Sequence, residues 1–288
     1  MPQGCDYIPL DFGLLKTAQI GSRWKFSERV VKMKISIACP SYKRPIVETK
    51  LYIPQVKVYV APEEFEAYKK KNPKTEIIEC APGVQGNLCR VRNYIMRKEF
   101  EAGADVVLLV DDDMRGISYW EDLKRHKLRT EDIEAFLEKY SLVARDLGAK
   151  MWGLNVNTDK MMYREYNPFS MLVYIGGPFQ CFLKGNECFY DERLNLKEDY
   201  DMTLQQLNRY RKVLRLNKYF YDVKQSEQVG GCATQRNYLE EERQLRLLQK
   251  KWGTKIVQED NGSRVTSRKK KKTKLDYNPI LQIPIKGI

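Results

Sequence analysis

The sequence predicts an α/β domain built on a mixed, mainly parallel sheet with helices on both faces. Three observations carry that prediction. Val106 to Val110 is an unbroken apolar run between Asp105 and the triplet Asp111, Asp112 and Asp113, the pattern of a strand buried on both faces. Strand-like segments alternate with helix-like segments on either side of it, the grammar of parallel strands joined by right-handed crossovers. The acidic triplet falls at the carboxyl end of the central strand, where open α/β sheets bind their ligands.

Each element has its own signal. Residues 1–33 mix Pro, Gly and charge without a period and read as an N-terminal arm. Lys34 to Cys39 alternates as a strand and runs into Pro40-Ser41-Tyr42-Lys43-Arg44-Pro45, a stiff turn offering hydroxyl and cationic donors. Val56 to Val60 is a second strand, and Pro62 opens a helix with acids in its first turn and lysines in its last, as the macrodipole favours. Thr75 to Cys80 is a third strand. The glycine-containing loop Ala81 to Asn87 leads to a helix whose first turns hold Arg90, Arg92 and Asn93, an arrangement able to receive phosphate.

After the central strand, Arg115 to Arg129 is polar and reads as partly looped. Thr130 reads as the N-cap of a helix whose apolar face runs from Ile133 to Leu147 and stops at Gly148. Lys150 to Val156 and Phe179 to Leu183 read as strands around the turn Gly176-Gly177-Pro178. Lys197 to Asp201 is a second acidic cluster, placed before a helix from Met202 to Tyr210 with Leu204 and Leu207 inward. Val213 to Val223 is strand-like, Gln225 to Thr234 a loop, and Asn237 to Trp252 a charged helix. The domain spans 34–253. Residues 254–288 form a basic extension whose last, apolar segment is expected to dock back on the fold.

Composition narrows the function. The 288 residues carry a net charge of +13, and Ser267 to Lys274 reads SRKKKKTK, which fits a polyanionic partner such as nucleic acid. Seven cysteines lack a CxxC pair and are odd in number, so reduced thiols are expected in place of a disulfide framework or a zinc site. His126 is the only histidine, which leaves little basis for a Ser-His-Asp triad. No apolar run approaches a membrane span and the N-terminus has no leader pattern, so a cytoplasmic protein with no membrane partner is expected.

The two acidic clusters carry the chemistry. Three adjacent carboxylates call for a cation or a set of donors, and a divalent ion carrying a diphosphate fits them. A carboxylate some eighty residues later supplies a general base. Taken in order, Pro40 to Pro45, Gly86-Asn87 with Arg90 and Asn93, Asp111-Asp112-Asp113-Met114, Gly176-Gly177-Pro178 and Lys197-Glu198-Asp199 resemble a GT-A glycosyltransferase. Within that superfamily they most resemble the TET-associated glycosyltransferases of bacteriophages, over about Lys34 to Thr234.

The resemblance implies a GT-A, Rossmann-like fold and a DxD motif in which Asp111 and Asp113 bind Mn²⁺ or Mg²⁺, Asp113 the more directly. It implies that Pro40, Ser41 and Arg44 lie along a nucleotide-sugar such as a UDP-sugar, with Gly86, Asn87, Arg90, Asn93, Asp111, Asp112 and Gly177 completing the donor site. It implies Asp199, with Glu198 second, as the base of an inverting reaction. The acceptor implied is a 5-hydroxymethylpyrimidine such as 5-hydroxymethylcytosine in phage DNA, modified in the cytoplasm of the host bacterium. Many GT-A enzymes add a histidine metal ligand late in the domain; Gly231-Cys232 stands where it would fall. The alternatives are a glycan, lipid-linked or already glycosylated acceptor, a nucleotidyltransferase, and a DNA-binding module on a decayed transferase fold.

Overall fold

The computed structural model describes residues 32–159, 163–223, 237–259 and 278–283. The N-terminal arm up to residue 31, the loop 225–234 with Gly231-Cys232, and the basic run 267–274 lie outside the described residues. The strands are β1 (Ile35–Pro40), β2 (Lys57–Val60), β3 (Glu76–Glu79), β4 (Val106–Val110), β5 (Met114–Glu121), β6 (Lys124–Lys127), β7 (Met151–Asn155), β8 (Phe169–Ser170), β9 (Phe179–Leu183), β10 (Leu214–Val223), β11 (Val257–Gln258) and β12 (Ile280–Leu281). The helices are α1 (Phe65–Lys71), α2 (Leu88–Glu101), α3 (Ile133–Asp146), α4 (Glu198–Tyr210) and α5 (Tyr238–Trp252).

Among the described residues the main sheet has the order β3-β2-β1-β4-β9-β7-β10-β5-β6, with β8 paired to β10. β3, β2, β1 and β4 are mutually parallel, and β7 is parallel to β10. β9 inserts antiparallel between β4 and β7, which brings Gly177 and Pro178 beside the end of β4. The mixed, mainly parallel α/β sheet expected from the sequence is therefore present.

β4 explains why the sheet must be covered twice. All five of its residues are buried, Val106, Leu108 and Val110 in one core with α3, Val107 and Leu109 in the other with α2 and α4. Each such side chain contributes about 1.5–3 kcal/mol by leaving water. Gly153 of β7 is held to glycine by crowding, since a Cβ there would meet Ile175 and the Phe179 carbonyl oxygen.

Three expectations are corrected. Arg115 to Arg129 is largely a hairpin, β5 and β6, closed by Asp122 and Leu123 at φ 49° and 60°; without an Asn-Gly or Asp-Gly pair the turn carries no sequence flag. Thr130 is not a cap, because a 3₁₀ turn over Thr130–Asp132 precedes α3, and Leu147 is 40% exposed. The helix expected from Met202 begins at Glu198, so the second acidic cluster forms its first turn.

Asp201 in that turn anchors the last helix. It is fully buried and accepts from Lys251 Nζ, Trp252 Nε1 at 2.7 Å and Gln205 Nε2 at 2.7 Å. Leu194, Leu204, Leu245, Leu248 and Val257 pack beneath it, and β12 pairs with β11, the docking expected of the final apolar segment. Replacing Asp201 with Ala takes the buried acceptor from all three donors. The expected loss is about 2–3 kcal/mol, read as a lower urea midpoint by circular dichroism.

Candidate active site

The site begins with the turn that ends β4. Thr49 Oγ1 donates to the Asp111 carbonyl oxygen at 2.5 Å and accepts from the Met114 N–H at 2.9 Å. The N–H groups of Glu48 and Thr49 donate to the Asp112 carbonyl at 2.9 and 3.2 Å. Four bonds from one short segment thus fix the backbone of the three aspartates.

The carboxylates then divide. Asp112 points inward, accepting from Ser41 Oγ at 2.5 Å and Arg44 Nη1 at 2.7 Å. Burial outweighs the opposing Arg44 charge and pushes Asp112 up to about 7. Asp113, 3.5 Å from Arg44 Nη1, is raised to about 6 by burial and then by the charge of Asp111. Asp111 is the most open of the three, with 34% of its side chain exposed. Arg44 Nε is buried and has no hydrogen-bond acceptor among the described residues.

The second cluster meets the first through a residue whose role the sequence reasoning missed. Arg92, with 1% of its side chain exposed, donates from Nη2 to Asp111 Oδ1 at 3.0 Å and to the Gly177 carbonyl at 3.1 Å, and from Nη1 to Glu198 Oε1 at 3.1 Å. The ring of Tyr190 lies 5.5 Å from its guanidinium. The available signal was position, because Arg92 lies on the α2 stripe with Cys89, Met96 and Glu99, and a cation on a buried stripe requires a buried anion.

Glu198 and Asp199 have different surroundings. Glu198 is buried, and burial followed by the Asp199 charge raises its carboxyl to about 8 against the pull of Arg92. Asp199 is half-buried and accepts from Tyr174 OH, the Gly177 N–H at 3.1 Å and the Tyr200 N–H at 2.9 Å. Tyr174 stacks on Tyr200 at 4.4 Å. Gly177 touches both clusters through its backbone, and a Cβ on it would stand 3.3 Å from Asp199 and Glu198 and 3.4 Å from Arg92.

Ser41, Arg44, Asp111, Asp112, Asp113, Gly177, Glu198 and Asp199 are thus brought together, with Pro40 closing β1 beside them. Four other expected residues make their contacts away from the aspartates. Asn87 caps α2 through the Arg90 N–H at 3.1 Å and donates to the Glu192 carbonyl at 2.7 Å. Arg90 points to Glu192 and the Gly83 carbonyl. Asn93 clamps the Tyr190 N–H and carbonyl at 2.8 and 2.9 Å. Gly86 contributes a backbone turn at φ 88°. Because these contacts join α2 to the loop before α4, Asn87, Arg90 and Asn93 position Arg92 and leave the aspartates to other donors. His126 stacks on Tyr119 of the β5–β6 hairpin, and among the described residues no third His, Cys, Asp or Glu completes a metal cluster with Asp111 and Asp113.

The sequence profile of the TET-associated glycosyltransferases matches residues 54–231. No curated protein matches the chain. Among solved structures, the chain is similar to glucosyl-3-phosphoglycerate synthase from Mycobacterium tuberculosis in complex with Mn²⁺, UDP and glucosyl-3-phosphoglycerate, at 9% identity over 77% of this chain and 80% of that one, TM-score 0.45. It is also similar to a putative nucleotide-diphospho-sugar transferase from Desulfovibrio desulfuricans G20, at 16% identity over 64% of this chain and 80% of that one, TM-score 0.39. At such scores the chemistry of this chain must be read from its own residues.

Two outcomes follow from the electrostatics. Arg92→Met leaves the buried Glu198 carboxyl without its cation and takes one partner from the more open Asp111, and is expected to cost about 3 kcal/mol of stability by urea unfolding. Asp112 and Asp113 have raised values in the folded state, at about 7 and about 6, against about 3.9 unfolded. The folded protein therefore holds protons that the unfolded chain has released. Their contribution is fully present below about pH 4 and is lost as pH rises through 6 to 7. In metal-free buffer, urea stability should fall between pH 4.5 and 7.5, and Asp112→Asn should reduce that fall.

Proposed function

The chain belongs to the TET-associated glycosyltransferase family, and from that premise we propose that it moves a sugar from a UDP-sugar to the hydroxymethyl group of a modified pyrimidine in phage DNA. The observation that carries the reading is the convergence of two acidic clusters, some eighty residues apart in sequence, on Arg92 and Gly177.

The donor lies across the ends of β1 and β4. Arg44, with a buried Nε that lacks an acceptor among the described residues, has donor capacity for a phosphate oxygen. Asp111 and Asp113 present hard carboxylate oxygens to the same space, and the charge of Asp111 raises Asp113, a repulsion that a cation relieves. This donor set fits Mn²⁺ or Mg²⁺ with diphosphate oxygens and water in the remaining positions. Such an ion, when bound, supplies Lewis-acid neutralisation of the leaving diphosphate.

Asp199 is the base and Glu198 its support. Asp199 is open to the site, and three donors fix its orientation, whereas Glu198 is buried and committed to Arg92. Asp199 takes the proton of the acceptor hydroxyl. The acceptor oxygen bonds to the anomeric carbon on the face opposite the diphosphate, the carbon–phosphate-oxygen bond breaks, and nucleoside diphosphate leaves, so the configuration inverts. The net charge of +13 and the run Ser267 to Lys274 support DNA as the polymer, through attraction to its phosphates. The hydroxymethyl group projects into the major groove.

The test combines the protein with Mn²⁺, a panel of UDP-sugars and duplex DNA containing 5-hydroxymethylcytosine or 5-hydroxymethyluracil, followed by mass spectrometry of the digested nucleosides. The expected outcome is a hexose or N-acetylhexosamine gain on one base, removed by EDTA and by Asp113→Asn, and reduced about 10²–10⁴-fold by Asp199→Asn. UDP release from one donor with no gain on any DNA would move the acceptor to a glycan.

A further inference from the structure

One side chain in the site has no part in the scheme above. Tyr221 lies on β10 opposite Ile117 of β5, on the far side of β9 from Ser41 and Arg44. A Cβ placed on Gly176 would collide with its hydroxyl and with Val156 Cγ1, so the hydroxyl and Val156 share the space the glycine leaves, one residue from Gly177. Other tyrosine hydroxyls nearby are committed, Tyr174 to Asp199 and Tyr190 to Gln180. The Tyr221 hydroxyl has no hydrogen-bond partner among the described residues.

Its surroundings keep it protonated. Burial, then the charges of Asp199 and Asp111, raise the phenol above its ordinary value. Tyr221 is therefore a neutral donor that feels both acidic clusters. An acceptor hydroxyl that gives its proton to Asp199 and forms a bond to carbon retains a lone pair for a donor. Asp199 already has its own three donors, and Arg92 is spent on Asp111, Gly177 and Glu198.

We infer that the Tyr221 hydroxyl donates a hydrogen bond to the acceptor oxygen and turns its O–H toward Asp199, making Tyr221 an acceptor-binding residue. The inference rests on the assignment of Asp199 as base. Gly176 then has a defined task, to leave room for that hydroxyl.

The experiment compares wild type, Tyr221→Phe, Gly176→Ala and Asp199→Asn with the UDP-sugar that wild type uses. It measures KM for hydroxymethylated duplex DNA, KM for the donor, and the ratio of sugar transferred to DNA over sugar released to water. Tyr221→Phe keeps the ring and is expected to raise the DNA KM and lower the transfer ratio, each about tenfold, the scale of one hydrogen bond. Gly176→Ala, which displaces the hydroxyl, is expected to lower the same ratio, with folding checked by circular dichroism. An unchanged ratio in Tyr221→Phe, or a rise in donor KM in place of DNA KM, overturns the inference. Asp199→Asn with wild-type transfer refutes the base assignment and, with it, the inference. If wild type glycosylates no DNA, the DNA reading fails on its own, and the same ratio measured with benzyl alcohol as acceptor decides the role of Tyr221.

Discussion

The site depends on one buried cation. Arg92 reaches Asp111 at the end of β4, Glu198 at the start of α4 and the carbonyl of Gly177 before β9, so three segments distant in sequence share one guanidinium. Removing a guanidinium from water costs several kcal/mol, and only complete pairing with good geometry offsets it. The planar fork satisfies two carboxylates and a carbonyl at 3.0–3.1 Å; a lysine could hold the charge but not all three directions. Asn93, Arg90 and Asn87 hold the adjoining turn of α2 against the loop before α4, so that helix start is also a structural joint.

Much of the fold was legible because its signals are local. The apolar run of β4, the lysines that close α1, and the Asn at the start of α5 each state their own conformation, although Pro62 opens a 3₁₀ turn ahead of α1. What was not legible was carried by pairing across the sheet. The β5–β6 hairpin turns on Asp122 and Leu123 at positive φ, and its alternation is blurred because polar Ser118 is buried, its hydroxyl held by Asp222 at 2.7 Å. Within the site, the acidic residues were legible because carboxylates at a strand end have few uses. Thr49, Tyr174 and Tyr221 were not, since a hydroxyl residue shows its role only when the fold brings an acceptor to it.

Two buried polar groups on the same sheet show how differently the fold uses charge. Below the sheet, Glu99 accepts from Ser36 Oγ at 2.8 Å, Lys57 Nζ at 2.8 Å and Tyr59 OH, and these bonds hold its carboxyl below the usual value although burial opposes them. It is fully satisfied and adds rigidity. At the other end, Asp112, Asp113 and Glu198 are raised, because burial and mutual repulsion exceed what Arg44 and Arg92 supply. These three carboxyls are therefore held toward their protonated forms unless a further cation joins them, whereas Glu99 at the opposite end is already matched by its own donors.

Adjacent carboxylates in one turn can have unlike surroundings. Glu198 and Asp199 are neighbours, yet Glu198 turns into the protein toward Arg92 and Asp199 toward Tyr174 and the Gly177 N–H. Gly177 binds both sides at once, its carbonyl to Arg92 and its N–H to Asp199. Asp111, Gly177 and Glu198 are thereby linked through the one guanidinium of Arg92. The geometry thus ties the spacing of Asp111 and Asp199 to one backbone unit, Gly177. A Cβ there would stand 3.3 Å from both carboxylates, so that they would have to give by a few tenths of an ångström.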